Sequence, residues 1–170
     1  PEMSRGLGDV YKRQHIMFTL EDELEREMLW GDFLKAAIVA LSRKYELRRG
    51  IKGVIEGTLP VGGLSSSAAV ILTYLNAVCI ANDIQITRPE IISNAIWAER
   101  NYIGVNVGKL DQSCEVYCRK NGLLFLDTLD DSNEIIPVSS NMKPFEIMIV
   151  FGGKERQLAG SAYNTRVDEC

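Results

Sequence analysis

Residues 58–69 read Thr58-Leu59-Pro60-Val61-Gly62-Gly63-Leu64-Ser65-Ser66-Ser67-Ala68-Ala69, and this stretch decides the fold. Before it, residues 50–57 alternate, with Ile51, Gly53 and Ile55 on one side and Lys52, Val54 and Glu56 on the other, which predicts a strand. After it, residues 65–82 form a mostly apolar run that reads as a buried helix. Glycines lack a Cβ and so allow close backbone approach. Unpaired N–H groups at the positive end of a helix favour an anion, and serine hydroxyls add donors and an oxygen for a cation. Gly62, Gly63, Leu64, Ser65, Ser66 and Ser67 therefore have the character of a phosphate cradle. A Ser-capped helix following a glycine turn is the alternative. A Walker loop is excluded, because no Gly-Lys-Ser or Gly-Lys-Thr follows the glycines.

Downstream, Thr87, Pro89 and Glu90 open a helix that runs to about Tyr102, with proline in its first turn. Residues 104–108 are a loop, and a further helix begins at or just after Lys109. Asn121-Gly122 is a turn, residues 123–129 a strand, residues 130–133 a polar turn and residues 145–151 a second apolar strand. From Ala159 the pattern becomes helical again. Upstream, Leu20, Leu24, Met28, Phe33, Ala37 and Leu41 recur at helical spacing behind a Thr19/Asp22 imitation of a capping box, predicting one long helix over residues 19–45. Residues 1–14 share no apolar period with the helix after them and read as a non-native leader. The order is mixed α+β around one core.

Composition narrows the functions. Nineteen Lys and Arg against 23 Asp and Glu in 170 residues give a net charge of −4, which excludes a phosphate-tracking basic surface and makes nucleic acid a poor partner. The longest apolar stretch, residues 68–81, is interrupted by Thr73, Tyr74 and Asn76 and is shorter than the roughly 18 residues of a membrane span. Cys79, Cys114, Cys118 and Cys170 make no small-domain disulfide framework, so a reducing, cytoplasmic setting is expected, and Cys114 and Cys118, on one helical face, are read as buried thiols. With His15 the single histidine, neither a zinc site at Cys114/Cys118 nor a Ser-His nucleophile is expected.

A second constellation pairs Glu99, near the end of one helix, with Asp111, near the start of the next, within Gly108-Lys109-Leu110-Asp111-Gln112. The intervening loop can turn both carboxylates toward one cleft. Phosphoryl transfer needs one acid for magnesium and often another to receive or orient the acceptor proton. The alternative is a solvated Glu99 and an Asp111 that merely complements a helix dipole.

Residues 60–69 resemble the phosphate-binding motif of the GHMP small-molecule kinases. Within that superfamily the triple serine, Ala98-Glu99, Gly108-Lys109-Leu110-Asp111-Gln112 and Leu158-Ala159-Gly160-Ser161-Ala162-Tyr163 are similar to galactokinases in order and spacing. The resemblance runs over residues 55–170 and more weakly over residues 19–45, where Trp30 and Phe33 echo the preceding helix. It implies a ribosomal-protein-S5-like domain over residues 15–143 and the start of a ferredoxin-like domain over residues 144–170, both incomplete. It further implies that Gly62 to Ser67 wrap the phosphates of ATP and that Ser67 and Glu99 ligate Mg2+. Asp111 would act as base or orienter toward the C1 hydroxyl of galactose, and Gly108 and Tyr163 would contact the sugar. Galactose 1-phosphate and ADP are the expected products. A kinase for N-acetylgalactosamine, galacturonic acid or arabinose, or a non-catalytic sugar and ATP sensor, is the alternative.

Three departures from that family stand out. The loop has one residue fewer between Pro60 and the Gly63-Leu64 pair, Lys109 replaces an apolar residue and Arg100 a histidine. A lysine pointing at Asp111 would favour its ionised form. The family's N-terminal sugar-holding signature and its C-terminal glycine-rich motif are not in the chain, so feeble activity is expected of these 170 residues alone.

Overall fold

Alanines 36, 37 and 40 leave one face of helix α1 (Asp32–Ser42) with little side-chain bulk, and all three are fully buried. The structure, a computed structural model, describes residues 15–56, 64–139, 141–143, 145–150 and 163–169. The expected leader over residues 1–14, Gly62 and Gly63 lie outside the described residues. The small face of α1 packs on α2 (Ser66–Ala81), whose Ile71, Leu75 and Val78 are buried within the same core. Helix α3 (Arg88–Trp97) lies against both and adds Ile91 and Ala95. It continues without a break into a π-helical turn, Ala98–Ile103, which is followed by α4 (Leu110–Tyr117).

Helix α3 begins where the sequence predicts. Thr87 accepts a hydrogen bond from the Glu90 N–H at 3.3 Å while its own N–H donates to the Glu90 carboxylate at 3.2 Å, a closed capping box with Pro89 in the first turn. The long helix expected over residues 19–45 is instead confined to Asp32–Ser42. The preceding stretch carries Glu21, Glu23, Glu25 and Glu27, like charges at helical i,i+4 spacing that repel one another. It is held as a loop: the buried Asp32 carboxylate accepts the N–H groups of Glu27 at 3.1 Å and Leu29 at 3.2 Å. The Lys35 ammonium donates to the Glu25 carbonyl at 3.0 Å and the Glu27 carboxylate at 2.7 Å.

Strand β1 (Gly122–Leu126) pairs antiparallel with β2 (Asn133–Pro137), placing Leu124 opposite Ile135. The sequence pattern places the second strand at residues 145–151. Among the described residues, 145–150 have no ladder partner and expose Phe145, Ile147 and Met148, so β2 takes that role. Residues 51–56 likewise join no ladder among the described residues, because their period alone supplies no hydrogen-bonding neighbour. Helix α5 (Tyr163–Asp168) falls within the expected terminal helix. No helix of the described residues is long and apolar enough to cross a membrane.

Candidate active site

The π-helical turn widens the chain where Glu99 sits, and such turns recur at functional sites. The turn closes on Gly104, whose φ of +80° is a left-handed conformation that glycine adopts without strain. Beyond it the Val105 N–H returns to the Glu99 carbonyl at 2.9 Å, and Arg100 Nε donates to the Val107 carbonyl at 2.7 Å. The loop predicted over residues 104–108 is thus tied back onto the turn that carries Glu99.

Glu99 is only 2% exposed. A buried carboxylate needs partners, and Glu99 has them on two elements. The Gln112 amide from α4 donates to its Oε2. Burial is the largest influence on Glu99 and pushes its carboxyl up from the ordinary value. Hydrogen bonding by the Ser67 hydroxyl and the Gln112 amide works in the opposite direction, and the charge of Asp111 adds to the rise. The first turn of α2, the π-helical turn and the first turn of α4 therefore converge on one carboxylate. The solvated Glu99 of the alternative reading is ruled out. Asp111 itself is exposed.

Ser65 precedes α2 with φ 56° and ψ 26°, left-handed geometry for a non-glycine residue, and its side chain makes no capping bond. The ordinary Ser-cap, which keeps an extended backbone and an oxygen on the helix N–H groups, is therefore not what this turn contains. Such strain, of order 1–3 kcal/mol, concentrates at ligand clamps. Leu64, Ser65, Ser66 and Ser67 are all partly buried at this helix start.

Gly108 lies on the same loop, and a Cβ built on it would meet nothing within 4 Å. Tyr163 opens α5 and packs against the core. The adjacent Asn164, which no sequence signal singles out, clamps the loop: its Oδ1 accepts the Asn106 N–H at 2.9 Å and its Nδ2 donates to the Gly104 carbonyl at 3.0 Å. The start of α5 and the Gly108 loop are thereby neighbours. Lys109 does not turn toward Asp111. Its ammonium pairs with Asp131 and donates to the Thr128 carbonyl at 3.1 Å, in the turn between β1 and β2.

Glu115, one helical turn beyond Asp111, has its carboxyl pushed up to about 7, first by burial and then by the charges of Asp111 and Glu99. It borders an open groove of about 570 Å³ with Thr73, Asn76, Thr87 and Arg88, a groove that Ser67, Glu99 and Asp111 do not line. Of the pair read as buried thiols, Cys114 is only half-buried and Cys118 is exposed, since α4 ends at Tyr117 and leaves Cys118 just beyond it; Cys79 is buried, and Cys170 lies outside the described residues. No group of acids, cysteines and histidines among the described residues forms a ready metal cage. The Ser67 hydroxyl and Glu99 carboxylate are hard oxygen donors, the set that suits Mg2+, which keeps several waters and takes its remaining ligands from phosphates.

A family model described as GHMP kinases N terminal domain matches residues 32–119. The chain belongs to the GHMP kinases. It has the α+β fold of that family and resembles the solved structure of Lactococcus lactis galactokinase complexed with galactose. The TM-score is 0.78 at 32% identity, over 86% of this chain and 38% of that one. Among curated relatives, a galacturonokinase of Arabidopsis thaliana is 35% identical over 150 residues, 86% of this chain and 35% of the relative. A galactokinase of Thermococcus kodakarensis is 35% identical over 156 residues, 91% of this chain and 43% of the relative. This GHMP kinase chain therefore spans well under half the length of those relatives.

Proposed function

We propose that the chain is the central part of a sugar kinase that transfers the γ-phosphoryl group of ATP to the C1 hydroxyl of galactose, giving galactose 1-phosphate and ADP. The observation that carries this reading is the burial of the Glu99 carboxylate beside the start of α4, where Gln112 donates to it and Asp111 stands one residue earlier. Gly62, Gly63, Leu64, Ser65, Ser66 and Ser67 would hold the phosphates. Ser67 and Glu99 would hold magnesium, which when bound offsets the negative charge of the phosphates. Asp111 would accept a hydrogen bond from the attacking hydroxyl and align it, while the helix start spreads the developing charge. Gly108 leaves space beside the loop, and Gly108 and Tyr163 would contact the sugar. The transfer is direct, with no covalent enzyme intermediate.

Support for galactose comes from the galactokinase relatives and the likeness to a galactose-bound galactokinase. A second reading, galacturonic acid, is favoured by the 35% identity to a galacturonokinase. The two sugars differ at C6, where one carries a hydroxymethyl group and the other a carboxylate. The test is ADP release by the complete gene product offered galactose, galacturonic acid, N-acetylgalactosamine and arabinose in turn. Turnover with galactose at least tenfold above the others in kcat/KM is expected. Preference for galacturonic acid moves the assignment to the second reading, and no sugar-dependent release overturns both.

A further inference from the structure

Gln112 is 1% exposed, and only one end of its amide is used. Its Nε2 donates to Glu99 Oε2. An ionised carboxylate can only accept, so the amide nitrogen must face Glu99 and the amide oxygen must face away. That oxygen, Oε1, is buried and has no hydrogen-bond partner among the described residues. Buried polar groups are nearly always satisfied, and an orphaned acceptor next to a functional carboxylate calls for an explanation. Holding Glu99 through Nε2 accounts for the amide nitrogen but leaves the buried oxygen without a donor.

We infer that Gln112 is a positioning residue for the cation site: its Nε2 fixes the rotamer of Glu99, and its Oε1 accepts from a water carried by the bound cation. The inference rests on the kinase reading given above and extends it to a residue that reading leaves without a role. Three features support it. Gln112 follows Asp111 directly in the first turn of α4, so the same helix start presents the acid and anchors the partner of Glu99. The Ser67 hydroxyl, in the first turn of α2, is among the groups that favour the charged form of Glu99, so the orientation of that carboxylate bears on α2 as well. Mg2+ binds with much of its water shell retained, and those waters are donors in search of acceptors. Partners of this kind behind a ligating carboxylate typically govern metal affinity by 10–100-fold.

The test uses the complete gene product and Mn2+ as a paramagnetic probe, titrated in the presence of a non-hydrolysable ATP analogue and read by electron paramagnetic resonance. Gln112→Met keeps the length of the side chain and removes both polar atoms. It is expected to weaken Mn2+ binding by at least about tenfold, to raise the Mg2+ concentration needed for half-maximal rate in parallel, and to leave the KM for sugar within about twofold. Gln112→Asn, which keeps the amide but is one methylene shorter, is expected to fall between the two, and it carries the test if Gln112→Met does not fold. Mn2+ affinity in the folded variants within about threefold of the parent overturns the inference and leaves the kinase reading intact. A parent that takes up no Mn2+ with the nucleotide analogue overturns the kinase reading and this inference with it.

Discussion

At the scale of single residues, what matters is where a charge or an unusual backbone angle is placed. Gly104 holds φ +80° at the end of the π-helical turn, and Arg26 Nη1 would lie 3.0 Å from an added Cβ. The arginine tip can move aside, but the backbone angle cannot, so Gly104→Ala is expected to cost about 1–2 kcal/mol in denaturant unfolding. A loss below about 0.3 kcal/mol would show that the turn does not need its glycine. Thiol chemistry gives a second check. Burial pushes the Cys79 thiol up from its ordinary value, whereas Cys118 is exposed. Iodoacetamide should therefore label Cys118 well before Cys79 in peptide maps, because the thiolate is the reacting species. The placing of Glu99 at the end of one helical run and Asp111 at the start of the next was legible in the sequence, because Gly104 and Gly108 mark the loop between them. The pairing of Lys109 with Asp131 was not, because no local period links a helix start to a turn over 20 residues away.

At the scale of elements, caps and tethers decide where helices begin and what they hold. Glu90 is drawn down to about 2, first by its bond to the Lys44 ammonium and then by the Thr87 N–H and hydroxyl. An acid whose folded value is depressed stabilises the fold above its unfolded value, here 4.5, and that contribution is lost as the pH falls toward 2. Thr87→Ala removes the cap and is expected to cost about 1 kcal/mol at neutral pH. It should also raise the Glu90 titration midpoint, followed by carbon NMR of the carboxyl. A midpoint that stays near 2 would assign the depression to the Lys44 ammonium and the residue-87 backbone N–H, both of which the substitution leaves in place. Asn164→Ala cuts both tethers between α5 and the Gly104–Asn106 backbone, at about 1 kcal/mol for each hydrogen bond. If the tether orders the sugar side of the site, the KM for sugar rises while the KM for ATP stays unchanged. Helices α2, α3 and α4 were legible because each has its own start signal and period. The helix over residues 19–45 was over-read, since apolar spacing concealed acid repulsion on the other face. β2 was missed because five residues that include Asn133, Glu134 and Pro137 carry little strand signal until β1 is there to pair with them.

At the scale of the molecule, the described residues build a helical core with a hairpin at its side, and three parts of that core meet at Glu99. Residues 145–150 expose Phe145, Ile147 and Met148, and the chain spans 35–43% of the length of two curated relatives. The 170-residue chain assayed alone is expected to release ADP at under about 1% of the rate of the complete gene product, on the reasoning that separately positioned groups each contribute 10²- to 10⁴-fold. Equal rates would place the whole catalytic apparatus within these residues. The family was legible from the glycine-serine stretch and two later motifs. The partner of the buried Gln112 amide was not, because a buried hydrogen-bond deficit exists only in three dimensions.

The most direct test of a shared phosphoryl-transfer site is the kcat of the Asp111→Asn variant of the complete gene product, measured by sugar-dependent ADP release alongside nucleotide affinity. If Ser67, Glu99 and Asp111 form one such site, kcat falls by 10²- to 10⁴-fold while nucleotide binding changes by less than about threefold. A kcat within about threefold of the parent would contradict it.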